Sequence, residues 1–230
     1  MKRIIVVLLG VFLLLPFVFA GCGGDGDDGT ELLTNGGFET GDLTGWTYAA
    51  LPGSDSIIIR ALEIPMMAGS ISVIAASSTP IGGFTTAGPS EGAYYAISDQ
   101  DGPTTDAIIQ EFTVPDGDDE IGITFDMFVL DISGEGPIDA GVLDHTGESN
   151  QHARVDILSA VAGTFDTGSG VIRNLYLGVD GYAPILPYIS YVFDLSADLA
   201  PGETYILRFA QTDNLNPLNM GIDNVSIKSK

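Results

Sequence analysis

The chain has 230 residues, with 31 acidic against 8 basic side chains and a formal net charge of −23; a surface this acidic repels phosphate backbones and excludes nucleic acid as a partner. Its 45% hydrophobic and 17% charged residues suit a folded protein, and 30 Gly with 12 Pro are too few for a collagen-like or disordered one. The length fits one domain with a full core.

Met1-Lys2-Arg3 is a short basic start, and residues 4–19 form an apolar run interrupted by Pro16. That run falls short of the about 20 residues a membrane-spanning helix needs. A basic start, an apolar middle and a small-residue end describe a secretory signal peptide. It closes on Phe19-Ala20-Gly21-Cys22, which resembles the lipobox of bacterial lipoproteins, with Phe19 where Leu is usual. The resemblance implies a diacylglyceryl thioether on Cys22 and an acylated amino group, and two or more acyl chains suffice for stable anchoring. Cys22 is the only cysteine, so it has no partner for an internal disulfide. The Gly/Asp run 23–29 buries nothing and reads as a flexible spacer. The expected organisation is therefore a signal peptide (1–21), a lipidated Cys22 with its tether (22–30) and a single domain (31–230). Gly23, rather than Asp, follows the cysteine, which favours the outer membrane or cell surface over inner-membrane retention.

From Thr30 onward no apolar repeat of helical period is sustained, and period-two alternation recurs between Gly, Pro, Asp and Asn. In chain order the expected strands are 32–38, 70–75, 93–98, 108–114, 121–129, 154–157, 171–179, 189–195, 205–210 and 220–227. The run 121–129 is the clearest: Ile121, Ile123, Phe125, Met127 and Val129 share one face, while Thr124 and Asp126 face away. Ten or so strands with one apolar face each make two sheets packed face to face. The expected fold is an all-β, antiparallel jelly-roll β-sandwich. Residues 76–92, rich in Gly, Ser, Thr and Pro, read as a long surface loop.

Several motifs along the way carry less than they suggest. Gly88-Pro89-Ser90-Glu91-Gly92 has the G-x-S-x-G pattern, but a strand-like segment follows where a nucleophile elbow needs a helix. His145 and His152 are the only histidines, and no third nitrogen or thiolate accompanies them to close a zinc site. Asp99-Gln100-Asp101-Gly102 and Asp116-Gly117-Asp118-Asp119 lack the twelve-residue calcium-loop frame and read as turns. With 31 acids present, no carboxylate pair stands out for glycoside hydrolysis, and the expectation is a non-catalytic protein.

Two end motifs bracket the body: Leu33-Thr34-Asn35-Gly36-Gly37-Phe38-Glu39-Thr40-Gly41-Asp42-Leu43-Thr44-Gly45-Trp46 and Gly221-Ile222-Asp223-Asn224-Val225-Ser226-Ile227. Together they resemble the galactose-binding-like jelly rolls, including carbohydrate-binding modules and many exported bacterial surface proteins. Phe38 and Trp46 read as core rather than as a sugar platform, and with Trp46 the only tryptophan a tryptophan-lined sugar face is excluded. Asp223 shares parity with Val225 and Ile227, which points its carboxylate inward, where it needs a cation or several hydrogen-bond donors. The resemblance implies that first and last strands pair and that a structural Ca²⁺ sits between Glu39 and Asp223, with backbone carbonyls completing an oxygen shell. The alternative is that Asp223 accepts backbone N–H bonds.

A ligand face is expected from His152, Arg154 and Asp156, which alternate with Val155 and Ile157 and so point away from the core, and from Tyr176 and Tyr188 on their own strands. Flat aromatic surface and planar hydrogen-bonding groups are what a sugar site needs; the alternative is cross-strand charge pairing on a solvated face. The expected function is a lipid-anchored glycan-binding module, better suited to neutral or basic sugars than to uronates or sulfates. A surface structural or adhesion protein that binds another protein or the matrix is the alternative.

Overall fold

The computed structural model describes residues 29–54, 70–99, 102–181 and 185–230. The expected signal peptide, Cys22 and nearly all of the expected tether lie outside the described residues. Eleven strands follow in order: β1 (Thr30–Glu31), β2 (Thr47–Ala50), β3 (Ser70–Ile74), β4 (Tyr95–Asp99), β5 (Thr104–Thr113), β6 (Ile121–Asp131), β7 (Gln151–Ser159), β8 (Val171–Gly178), β9 (Ile189–Asp194), β10 (Thr204–Asp213) and β11 (Leu218–Ser229). They form a six-stranded sheet, β3-β4-β11-β6-β9 with β1 beside β11, and a five-stranded sheet, β2-β5-β10-β7-β8. All pairings between these strands are antiparallel. The alternation read from sequence thus yields an antiparallel β-sandwich.

The clearest alternating run fills the centre. Ile121, Ile123, Phe125, Met127 and Val129 on β6 are all buried, and Tyr205, Leu207 and Phe209 on β10 meet them from the opposite sheet. Phe125 packs edge-on against Phe209 with ring centroids 5.4 Å apart. Phe38 stacks on Trp46 at 5.6 Å, and Trp46 packs on Phe209 at 6.0 Å. Both N-terminal aromatics therefore belong to the core, where each fully buried side chain contributes roughly 1.5–3 kcal/mol.

Three expectations need correction. Residues 32–38 do not form a strand, because Asn35 and Phe38 take φ of 55° and 56° and coil the backbone. There Gly36 is required by close approach, since a Cβ on it would lie 1.8 Å from the Val225 carbonyl oxygen. The four-residue strand β2 was not anticipated; its residues are exposed or half-buried, so they carry no alternation to read.

The third correction concerns Asp223. Asp223 pairs with Asp126 and Ser226 pairs with Thr124, so Asn224 and Val225 together oppose Phe125 in a β-bulge. Asn224 accommodates it at φ 51°. The bulge lets Ile222 and Val225 both reach the core, and it turns Asp223 to the outer face beside Asp126. Parity carried back from Val225 and Ile227 points the carboxylate the wrong way.

The outer face of the six-stranded sheet is divided. Toward β4 it is covered by a second apolar cluster of Tyr95, Ile97, Phe128 and Leu130, with Phe84, Leu186 and Tyr188 packed against it. Gly221 allows this, because a Cβ there would lie 2.2 Å from the Phe128 ring. Toward β9 the face is open.

Candidate functional site

Glu39 and Asp223 are brought to one place by the turn 90–94. Glu39 accepts the N–H groups of Ala93 (2.9 Å to Oε1) and Tyr94 (3.1 Å). Asp223 Oδ2 accepts those of Ser90 (2.7 Å) and Glu91 (3.1 Å), and its Oδ1 accepts Asn224 N–H (2.8 Å). Between the two grips Gly92 has φ +64°, and a Cβ there would lie 2.3 Å from Glu39 Oε1. Burial pushes the Asp223 carboxyl up; the N–H groups of Glu91, Asn224 and Ser90 pull it back, the charge of Glu39 pushes it up again, and the net direction is upward. This is the hydrogen-bonded alternative. As arranged, the oxygens of both acids face N–H donors rather than a shared oxygen shell. Among the described residues no group of three or more His, Cys, Asp or Glu side chains is placed to hold a metal ion. The pair does not fit a calcium shell in this arrangement, so a cation would have to compete with the turn for these oxygens.

The five residues expected to form a ligand face do not form one. His152, Arg154 and Asp156 do alternate with the core-facing Val155 and Ile157, but their face is buried too: they are 0%, 4% and 0% exposed. The connection 132–150 and the turn 160–170 roof the outer face of the five-stranded sheet. Leu143 and Phe165 pack on Ala107 and Ala210. Asp156 lies between two guanidiniums, with Arg154 Nε donating at 2.7 Å, Nη2 at 2.8 Å, and Arg208 donating through Nε at 3.2 Å and through Nη2. Burial pushes the Asp156 carboxyl up, but Arg154, Arg208 and Asn174 more than reverse it, leaving it below the usual range. Arg208 also donates to the carbonyls of Thr164 and Asp166 and so pins the turn to the sheet. This is a structural ion cluster rather than an open binding face.

The tyrosines lie elsewhere. Tyr176 donates to Asp180 at 2.8 Å and meets Tyr191 edge-on at 5.7 Å. Tyr188 packs edge-on against Phe128 at 5.0 Å and Tyr95 at 6.4 Å, inside the second apolar cluster. Burial pushes both hydroxyls well above the ordinary tyrosine range. Neither offers a free ring to a sugar.

What stays open is the β9 side of the six-stranded sheet. A groove of about 780 Å³ there is lined by Gly122, Thr124, Val192, Phe193, Ser226 and Lys228. A second hollow of about 440 Å³ shares Thr124, Val192 and Ser226 with it and continues to Asp126, Ser190 and Asn224. Asp126 is the hub: it accepts Ser90 Oγ–H at 2.6 Å, Asn224 Nδ2–H at 3.0 Å and the Ser190 hydroxyl. Burial raises its pKa, and these three donors lower it further than burial raises it. The rings of Tyr191 and Phe193 turn to the inner face, where both stack on Phe125, and the apolar surface on the outer face is Val192, 73% exposed. The groove thus joins hydroxyl, amide and carboxylate groups to one exposed aliphatic side chain. Sequence reasoning placed Thr124 and Asp126 on an outward face but did not name them as a site; the missing signal was their cross-strand pairing with Ser226 and Asp223.

No protein-family model matches the chain, and no curated protein matches it in sequence. Solved structures do match it in shape. The chain is similar to the carbohydrate-binding module TmCBM61 solved with beta-1,4-galactotriose, at 13% identity over 87% of this chain and 99% of that one, with a TM-score of 0.51. It is also similar to the K3 cleaved adhesin domain of Lys-gingipain from Porphyromonas gingivalis W83, at 16% identity over 87% and 100% of the chains, with a TM-score of 0.50. The fold is the antiparallel jelly-roll β-sandwich that these two domains share. That is the fold the two end motifs implied, and at these identities the likeness speaks for the fold alone.

Proposed function

We propose that the chain is a non-catalytic, glycan-binding β-sandwich held at a membrane surface by lipid on Cys22, and that the open groove beside β9 receives the sugar. The observation that carries this is the groove's lining. Thr124, Asp126, Ser190, Asn224 and Ser226 supply hydrogen-bonding groups, and Val192 supplies apolar surface, which is the mixture a sugar requires. The roofed face of the five-stranded sheet offers a ligand no comparable access. A neutral glycan is favoured, because the net charge of −23 repels uronates and sulfates. The TmCBM61 complex, whose ligand is a galactotriose, makes β-1,4-galactan a natural first probe. A glycan array with the full chain tests this: selective retention of one neutral glycan class supports it, and a blank array removes it.

A second function is favoured by a different observation. Ile189 and Val192 are 46% and 73% exposed along β9, the outer strand of its sheet, and an exposed apolar edge suits a protein partner. A chain that leaves the array blank yet binds matrix protein through β9 is an adhesion domain. Calcium at Glu39 and Asp223 would have to displace the N–H groups of Ser90, Glu91, Ala93 and Tyr94 from these oxygens, and in either function it would act as a stabiliser only. A melting temperature raised by Ca²⁺ but not by Mg²⁺, with the rise lost in Asp223→Asn, supports it; identical melting in calcium and in chelator removes it.

A further inference from the structure

The roof over the five-stranded sheet hangs from one histidine. His152 is fully buried on β7, and its Nδ1 lies 3.1 Å from Asn150 Oδ1. The Asn150 side chain is oriented by its other contacts: its Nδ2 donates to the Val142 carbonyl at 2.7 Å, and its Oδ1 accepts the Asp139 N–H at 3.3 Å. An oxygen that accepts can only face a donor, so His152 carries its proton on Nδ1. Nε2 is then a bare lone pair, and it is buried with no hydrogen-bond partner. A second proton must therefore arrive at an atom that has no acceptor beside it. The charged groups around the ring are Arg154 and Asp156 on its own strand and Asp139 on the roof. The neighbouring strand β10 presents Thr212 opposite His152, and β5 presents Thr105, bonded to Thr212 at 2.7 Å.

The same residues tie the roof down. Asp139 and Val142 are anchored through Asn150, and Asn150 exchanges bonds with Asn214, its N–H donating to Asn214 Oδ1 at 2.8 Å. Asn214 Nδ2 in turn holds the carbonyls of His145 and Glu148. His145 reaches back to Thr105 through Nδ1 at 3.1 Å, and its Nε2 is likewise buried without a partner.

We propose that the segment 132–150 is an acid-released lid over the outer face of the five-stranded sheet, with His152 as its trigger. Above neutrality the lid stays shut, because a neutral imidazole satisfies Asn150 and costs far less to bury than an imidazolium. When His152 takes up a proton at Nε2, that proton needs water, and the route that breaks the fewest β-sheet bonds is displacement of the lid. Release uncovers the outer face of the sheet around His152, a polar surface distinct from the β9 groove, while Arg208 stays pinned beneath the turn 160–170.

The direction of the effect follows from the ring's surroundings. Burial, and then the charge of Arg154, push the His152 imidazole down to about 4, while Asp139 and Asp156 oppose them. A group whose folded pKa is depressed below the free value of about 6.5 favours the closed form above that value, and the preference is lost as pH falls toward the folded pKa. Between pH 7 and pH 4.5 the open fraction should rise on the order of 50-fold.

Hydrogen–deuterium exchange of the full chain, corrected for intrinsic rates, tests the lid locally. The amides of Asp139, Val142 and Asn150 should exchange on the order of 50-fold faster at pH 4.5 than at pH 7, those of β10 and β11 should not change, and His152→Gln should abolish the difference. Unchanged lid exchange, loss of protection throughout the sandwich at once, or a response that survives in His152→Gln would each overturn the proposal. Nitrogen-15 NMR of the wild-type imidazole at pH 7 gives a check that does not depend on the variant's folding. A proton on Nδ1 is expected, and a proton on Nε2 contradicts the trigger.

Discussion

Glu39 and Asp223 hold opposite ends of one turn: Glu39 binds the N–H groups of Ala93 and Tyr94, and Asp223 binds those of Ser90 and Glu91. The two motifs that bracket the chain are thereby joined through a third segment belonging to neither. They also touch directly, since Val225 N–H donates to the Gly36 carbonyl at 3.0 Å. Because Asp223 is fully buried and Glu39 is exposed, the two ends of the turn should not be equally costly to release. Asp223→Ala leaves three N–H groups, those of Ser90, Glu91 and Asn224, without their acceptor and should lose about 2–3 kcal/mol by urea denaturation. Glu39→Ala should lose under about 1 kcal/mol, because water can replace the carboxylate. Equal losses would show that the turn is held some other way.

Gly36 sets a stricter test of the same junction. A Cβ at this position would overlap the Val225 carbonyl, so Gly36→Ala must push β11 away or break the bond between them. A loss of about 2 kcal/mol or more is expected from the resulting overpacking, read as a lower midpoint in denaturant with an unchanged slope. A neutral substitution would mean that the two end motifs do not meet as described.

The buried Arg154–Asp156–Arg208 cluster should behave asymmetrically. Asp156→Ala strands two guanidiniums inside the protein and should cost about 3–5 kcal/mol. Removing all three charges together with apolar residues of similar volume should cost far less, because the desolvation penalty goes with the charges. Thermal unfolding of the single and triple variants separates a structural cluster from a functional one, since glycan binding should be unaffected in any variant that folds.

Asp213 gives a pH dependence opposite in sign to that of His152. Burial raises its carboxyl to about 7, against donors in 215–218 that lower it. A carboxyl whose folded pKa lies above its free value holds a proton more tightly when folded. Its stabilising share is therefore complete below about pH 4 and is lost as pH rises to 7. Asp106 acts in the same direction, being fully buried with both oxygens unpartnered. Asp213→Asn should gain on the wild type by about 4 kcal/mol between pH 4 and pH 8, measured by urea denaturation at both ends. A constant gap between the two proteins would contradict the raised pKa.

The sandwich was legible because strands such as β6 alternate without interruption, and period two survives any arrangement of neighbours. The direction of Asp223 was not, because the inserted residue of the bulge is Asn224, whose left-handed backbone leaves no trace in hydrophobic parity. His152, Arg154 and Asp156 were placed correctly with respect to Val155 and Ile157. Their burial was hidden, because the roof that covers them comes from connections with no period of their own, anchored by single residues such as Leu143 and Asn150. The groove was half visible: Thr124 and Asp126 stood on an outward face, but only the register of β11 and β9 brings Ser226 and Ser190 beside them.

The groove itself is tested most directly by filling it. Thr124 is exposed at its floor and Val161, 94% exposed, lies outside it, so a tryptophan at either site should leave the fold intact. The measurement is calorimetric titration of the glycan selected on the array into wild type, Thr124→Trp and Val161→Trp. The account predicts at least about tenfold weaker binding for Thr124→Trp, which is roughly 1.4 kcal/mol, and wild-type affinity for Val161→Trp. Wild-type affinity in a folded Thr124→Trp protein would place the sugar elsewhere and contradict the account.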